Sequence, residues 1–527
     1  MTSQGLHLID YIIIIVSVVF SIGFGISFAR RQKSTSNYFA ASGSIPSWAV
    51  GMSILATLVS SITFLAYPGE GFSSNWILLV QAIMVVVVLS FLVWVVVPLY
   101  RKVIGISAYE YFEKRFGFLA RLYGSLAFSL THFSKMGTVF FLLALALASM
   151  TGWNTYAIIW ILGAGIIVLT MLGGIEAVIW LDVIQGFLLI AGGILCALVL
   201  LFIPEGGPVA VINTALEYNK IGFAPYDFDL VQLTFVVMVL NGIFYGIQKY
   251  GTDQTIVQRY LTARSDRGAE RAAMMGVWLS LPVWTLFMFI GTLLFVYYQV
   301  YGNPLPADIR PDAVFPYFIM HELPAGVTGL VLAALIAAAI SSLDSDLNCL
   351  SAVGVDDYYK RFRPDSTDTQ RLWVGKMIVV FSGIASLIIA SIYVSLGDEG
   401  VLGIVFGLYA IFSGGIAGLF LLGLLSKRAN KEGLYVGLAA CILFTAWAVL
   451  TSTKMSIGGE KRILLDLGSL NFKQHKYMIG VYSHVMVYVV GYLASFLFPK
   501  REVSDELTIF GWLALRKERK NNTASKN

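Results

Sequence analysis

The sequence predicts an all-α integral membrane protein with about 13 transmembrane helices. Two observations predict it. Of 527 residues, 57% are hydrophobic and only 13% charged, with mean hydropathy +0.78, whereas a soluble chain carries about 25% charge. The apolar residues also fall in runs of about 20, the length that crosses the hydrocarbon core, where helices satisfy every backbone group. The formal charge of +5 is small and dispersed, which excludes a nucleic-acid footprint. Cys196, Cys349 and Cys441 each sit inside an apolar run and read as small hydrophobes.

In chain order the runs lie near residues 8–28, 46–66, 76–99, 119–150, 154–173, 177–203, 230–250, 272–300, 324–353, 373–396, 401–425, 433–451 and 477–498. The first follows MTSQGLHLIDY, which holds no Lys or Arg, and lacks a small-residue cleavage pattern, so it reads as a retained span. The second, SILATLVSSITFLAYPGEG, places Thr57, Ser60, Ser61 and Thr63 mid-membrane before Pro68 and Gly69. A single hydroxyl would fold back on its own helix. Four in seven residues suit a helix that unwinds partway and lends its carbonyls to a ligand.

Lys135 sits near the centre of the fourth run. A lysine at that depth either pairs with a fixed carboxylate or lines a water-filled cavity and meets an anionic or hydroxylated solute. In the sixth run Asp182 is either a cation ligand or a hydrogen-bonded structural carboxylate. The seventh is interrupted by Asn241, Gly242, Gly246, Gln248 and Gly251. In the ninth, AALIAAAISSLDSDLNCL, helical spacing puts Ser341, Asp344 and Ser345 on one face beside Ser342, with Ala337 to Ala339 allowing close packing. Hydroxyls, a carboxylate and freed carbonyls are hard oxygen donors that suit a small hard cation such as sodium.

Two weakened helices five spans apart are what an inverted repeat predicts, with spans two to six as one half and seven to eleven as the other. Residues 1–498 then form a single transporter domain, with repeats near 46–203 and 230–425, and 499–527 form a cytoplasmic tail. Alternate loops hold 26 of the 36 Lys and Arg, the opposite loops seven, and the spans three. That bias puts the N-terminus outside and the C-terminus inside a plasma (inner) membrane. The loop holding Lys454, Lys461, Arg462, Lys473 and Lys476 breaks the pattern. The tail segment DELTIFGWLALRKERK is either an amphipathic helix on anionic lipid or a solvated polar tail.

Enzyme chemistry is absent from the pattern. The five histidines are scattered, HELPA at His321 lacks the second histidine of a zinc-protease motif, and there is no phosphate-binding G-x-x-x-x-G-K-[ST] loop. An ion gradient is left as the driver.

The segments NYFAASGSIPSW, ATLVSSITF, SAYEYFEKRF, GGIEAVIWLDVIQG, GTDQTIVQRYL, AAAISSLDSDLN and GLFLLGLLSKRAN together resemble the sodium:solute symporters, carriers of sugars, sialic acid, carboxylates and vitamins with a leucine-transporter-like five-plus-five repeat. The resemblance implies a main sodium site of Ala56, Val59 and Ala338 carbonyls with Ser341 and Ser342 hydroxyls. It implies a further sodium site of Asp182, Ser341, Asp344 and Ser345, in which Asp344 stands where other members have Ser. ATLVSSITF is most similar to the bacterial sialic acid carriers, implying a solute site of Ser60, Ser61, Thr63, Gln81, Lys135, Phe244 and Gln248. Here Lys135 occupies their arginine position and Leu58 a threonine position. GTDQTIVQR is similar instead to the sugar carriers, with Lys249 and Tyr250 in place of their aromatic pair. The implied function is sodium-coupled uptake of sialic acid, a related sugar acid or a sugar. Another small carboxylate or a vitamin is the alternative solute, and a cation channel the alternative class.

Overall fold

The computed structural model describes residues 6–204, 206–307, 309–396, 413–457 and 460–514. In chain order its main helices are α1 (Leu8–Ser27), α2 (Ser47–Leu58), α3 (Ser61–Ser73), α4 (Leu79–Val103), α5 (Phe118–Thr151), α6 (Thr155–Phe202), α7 (Phe235–Gly251), α8 (Gln254–Thr262), α9 (Asp266–Phe295), α10 (Pro311–His321), α11 (Val327–Val353), α12 (Asp368–Leu396), α13 (Ile416–Leu425), α14 (Lys431–Ser452) and α15 (Lys476–Ala494). Among the described residues nine helices are long and apolar enough to cross a membrane, or ten if the bent pair α2 and α3 is one span.

The 13 expected spans are recast in three places. Runs 154–173 and 177–203 are joined as α6, whose 48 residues would reach about 72 Å if straight, far beyond a hydrocarbon core of about 30 Å. Gly174 breaks it at φ 61°, ψ −171°. Run 230–250 is the 17-residue α7. Run 401–425 lies outside the described residues as far as 412 and continues as α13. A two-stranded ladder, Lys454–Ile457 with Glu460–Ile463, interrupts the all-helical expectation in the loop that also breaks the charge pattern. The tail packs back at Leu507, which is buried and whose carbonyl accepts the Tyr111 hydroxyl at 2.9 Å. Most of its basic stretch lies outside the described residues. All three cysteines are free and buried.

Helix α11 forms the axis of the packing, and every residue from 331 to 350 is buried. It lies against α6, α1 and α5. Its first turn would leave N–H groups orphaned in lipid. Asp10 of α1 supplies the acceptor, with Oδ1 taking the Gly326 and Gly329 N–H groups at 2.7 and 2.8 Å. Helices α3 and α9 approach backbone to backbone, since a Cβ on Gly291 would sit 2.2 Å from the Pro68 carbonyl oxygen. Small residues at a crossing let helices pack without a hydrophobic driving force.

At the α6 break, the Tyr38 hydroxyl donates to the Thr170 and Met171 carbonyls at 3.0 and 3.3 Å, replacing partners the break removes. Gly174 is required there twice over, by its positive φ and because a Cβ would lie 2.8 Å from Gln32 Oε1 and 2.9 Å from the Tyr38 ring. Gly174→Ala is therefore expected to destabilise the protein by at least about 1–2 kcal/mol, the left-handed penalty alone. The readout is a lower melting midpoint in detergent, and an unchanged midpoint would contradict this account of the hinge.

Candidate functional site

The site is built where α2 stops being a helix. Val59 (φ −100°, ψ 106°) and Ser60 (φ −108°, ψ 177°) are extended, and α3 restarts at Ser61. The two halves are bent by 58°. A broken span leaves the last carbonyls of its first half without i+4 donors. Ser341 of α11 meets one of them, its Oγ lying 3.2 Å from the Ala56 carbonyl oxygen and 3.1 Å from that of Ala338. Ser342 Oγ is fully buried and has no protein partner among the described residues. A buried hydroxyl without a partner is costly and calls for an occupant. Val59 is buried at the break itself. The structure thus brings Ala56, Ala338 and Ser341 into direct contact and places Val59 and Ser342 on the same two elements. This donor set is neutral, oxygen-only and hard, which fits sodium as cargo and not a soft metal.

Beside it lies a cluster of buried charges. Asp182 Oδ2 accepts from the Ser53 hydroxyl and pairs with Arg259 Nη2 at 2.9 Å. Arg259, on α8, is fully buried and also donates from Nη2 to Ser345 Oγ at 2.7 Å and from Nε to Ser53 Oγ at 2.7 Å. Asp344 Oδ1 accepts from Ser345 Oγ at 3.4 Å. Asp182 Oδ1 and Asp344 Oδ2 have no protein partner among the described residues. Asp182, Ser341, Asp344 and Ser345 thus lie close together, around an arginine that the loop-charge count assigns to a cytoplasmic loop. Its only sequence signal is its place in GTDQTIVQRYL.

Lys135 resolves as the paired lysine, with Nζ 3.0 Å from Asp346 Oδ2 and 24% of its side chain still exposed. The pair belongs to a chain of charges. His132 Nδ1 lies 2.8 Å from Asp346 Oδ1, its Nε2 3.4 Å from Asp253 Oδ2, and Lys249 Nζ 2.6 Å from the same Asp253 oxygen. His132 stands isolated in the sequence because its partners are 121 and 214 positions away. Helices α5, α7 and α11 are thus linked across the centre of the fold.

The remaining solute candidates are spread. Ser61 Oγ is buried without a partner among the described residues, and Thr63 Oγ1 accepts the Ser60 N–H at 3.4 Å. Gln81 Oε1 accepts the Asn241 side-chain amide at 2.8 Å, tying α4 to α7. Gln248 lines a small polar cavity with Tyr109, His132 and Asp253. Phe244 packs toward α15, its ring 5.4 Å from His484. No hydrogen bond joins the α3 hydroxyls to Lys135, Gln81 or Gln248 among the described residues.

Removing one member of a buried ion pair strands the other, at a cost of roughly 3–5 kcal/mol. Arg259→Ala is expected to abolish monodisperse protein in detergent or to lower its melting midpoint sharply, with partial recovery when Asp182→Asn is added. Wild-type melting of Arg259→Ala would show that the pair does not hold α8 to α6.

Residues 38–441 match the family model described as the sodium:solute symporter family. The chain is 33% identical over 528 residues to the sodium/sialic acid symporter NanT of Aliivibrio fischeri, covering 100% of both chains. Its fold is similar to a solved substrate-bound outward-open state of a sodium-coupled sialic acid symporter, with TM-score 0.85 and 31% identity over 94% of this chain and 99% of that one. The closed nucleobase-cation-symport transporter Mhp1 shares the fold at TM-score 0.54 and 17% identity, over 89% and 98% of the two chains.

Proposed function

Because the chain belongs to the sodium:solute symporter family, a transporter family and not an enzyme class, we propose that it couples inward sodium flow to uptake of sialic acid or a closely related sugar acid. The observation that carries this reading is the break at Val59 and Ser60, which faces a hydroxyl face of α11 where Ser342 Oγ has no partner among the described residues. A sodium ion held by Ala56, Val59, Ala338, Ser341 and Ser342 would satisfy both elements at once. Binding there would favour the arrangement in which α3 presents Ser60, Ser61 and Thr63 to the solute, so ion and solute would reinforce each other by linkage.

A second sodium between Asp182, Ser341, Asp344 and Ser345 is supported by charge balance. Two carboxylates face one guanidinium there, and each keeps one oxygen without a protein partner among the described residues. One monovalent cation would complete the set.

For the solute carboxylate the reading uses Lys135, whose partly exposed ammonium is held in place by Asp346 and offers a point charge in place of a forked guanidinium. Gln81, Phe244 and Gln248 would line the same path. Repeats near 46–203 and 230–425 would then rock against each other around the site, in the manner of carriers built from inverted repeats. The bias of basic loops supports an orientation with the N-terminus outside and the C-terminal tail in the cytoplasm.

The test is sodium-driven uptake of labelled sialic acid into proteoliposomes. Ser342→Ala removes one of few hard donors, worth about 1 kcal/mol or more. It is expected to raise the half-activating sodium concentration about fivefold while leaving KM at saturating sodium little changed. An unchanged sodium activation curve would remove α11 from the ion site. Lys135→Gln should do the reverse, raising KM for sialic acid without moving sodium activation. Counterflow discriminates the class, since ohmic flux without trans-stimulation would indicate a channel.

A further inference from the structure

Helices α2 and α9 begin side by side, and their starts enclose a cleft of about 430 Å3 lined by Ser47, Arg264, Arg267, Gly268 and Arg271. A Cβ on Gly268 would lie 3.9 Å from Ser47 Cβ, in ordinary contact, so the two helix starts are close neighbours. Nothing in the sodium or solute sites uses this cleft. We propose that it binds the phosphate of an anionic lipid headgroup at the membrane surface.

Four observations carry the proposal. First, the arginines are placed against the usual preference. The start of a helix carries partial positive charge and favours acidic side chains, yet Arg267 lies in the first turn of α9 and Arg264 just ahead of it. Second, Arg267 and Arg271 are four residues apart on one helix face, where like charges repel. Neither makes an ion pair or hydrogen bond among the described residues. The adjacent carboxylate is already committed, since Asp266 pairs with Arg101 at 2.6 Å, and Glu270 has a partner of its own. Third, Arg264 is held in the cleft by its Nε donating to the Ser44 carbonyl at 2.7 Å, while Pro46 offers the first N–H groups of α2 no side-chain acceptor. Arginine forks and free helix N–H groups are the donors that take phosphate oxygens. Fourth, Trp48, one residue into α2, is 47% exposed and packs edge-on against Trp180 at 5.7 Å. Exposed tryptophans collect at headgroup depth, so the cleft opens where lipid phosphates lie.

Solvated arginines obeying the loop-charge bias would explain exposure, but not three of them lining one cleft between two helix starts in which no carboxylate takes part. Because α2 carries the broken segment and α9 packs along it, a headgroup bridging the two would tie lipid composition to the elements that hold the ion site.

The test uses the full-length purified protein in detergent, with melting midpoints recorded on titration with phosphatidylglycerol, phosphatidylcholine or inorganic phosphate. Phosphatidylglycerol is expected to raise the wild-type midpoint and phosphatidylcholine is not. Arg267→Gln with Arg271→Gln should lose that shift. Arg30→Gln with Lys33→Gln, which removes the same charge from exposed positions ahead of α2, should keep it. If the first pair fails to yield monodisperse protein, Arg271→Gln alone should lose at least half the shift. Retention of the full shift by the arginine variants, or equal loss in the control pair, would overturn the proposal. An equal shift from inorganic phosphate would overturn the assignment to lipid in favour of a soluble anion.

Discussion

Backbone groups that lose their helix partners inside a membrane have no water to turn to, and the structure is arranged around one place where they do. The interruption of α2 at Val59 and Ser60 frees carbonyls that must be met by protein or by an ion. Ser341 meets part of the need by touching Ala56, and Ser342 stands beside it with its own oxygen unpartnered among the described residues. The close approach of α11 to the break, permitted by its alanines, follows from that need. The buried cap that Asp10 places on the start of α11 answers the same constraint for N–H groups. The hinge in α6 solves the same problem differently, with the Tyr38 hydroxyl serving as a fixed donor. A tyrosine holds the second break at all times, whereas an ion at the proposed site would make the first conditional on its own concentration.

The same constraint governs the charges. Near the centre of the fold Arg259 pairs with Asp182, Lys135 and His132 with Asp346, and Lys249 with Asp253. Pairing removes most of the cost of burying charge, but Asp182 Oδ1 and Asp344 Oδ2 have neither a hydrogen-bond donor nor an ion-pair partner among the described residues. On the proposed reading, a mobile cation at these oxygens would add stabilisation that the protein does not supply itself. The charge chain through His132 also joins helices from both halves of the expected repeat, so it is a contact that any rocking motion must either preserve as a pivot or break.

Much of this is legible in the sequence, and the reason is physical. In lipid each polar residue is an exception, so the hydroxyls of ATLVSSITF and the SSLDS face of α11 stand out by composition alone. Helix spacing then places Ser341, Asp344 and Ser345 on one face. What stays hidden depends on distant pairing. Arg259 sits on the short α8, which no hydropathy pattern separates from a loop, and its partner lies 77 residues earlier. His132 likewise needs Asp346 and Asp253 to become meaningful. The number of spans is blurred where length is a poor guide: α6 fuses two crossings through a single glycine, and α7 is weakened until it falls short of a full span. The match of residues 38–441 to the family model spans most of those same motifs.

Whether ion and solute act through one broken helix is read out by calorimetric titration of sialic acid into the purified protein in sodium and in potassium. Sodium is expected to tighten solute binding by at least about tenfold, roughly 1.4 kcal/mol of coupling, and solute to tighten sodium binding by the same factor. Equal affinity in the two salts would contradict it, because a break held by neither ion nor coupling could not link uptake to a sodium gradient.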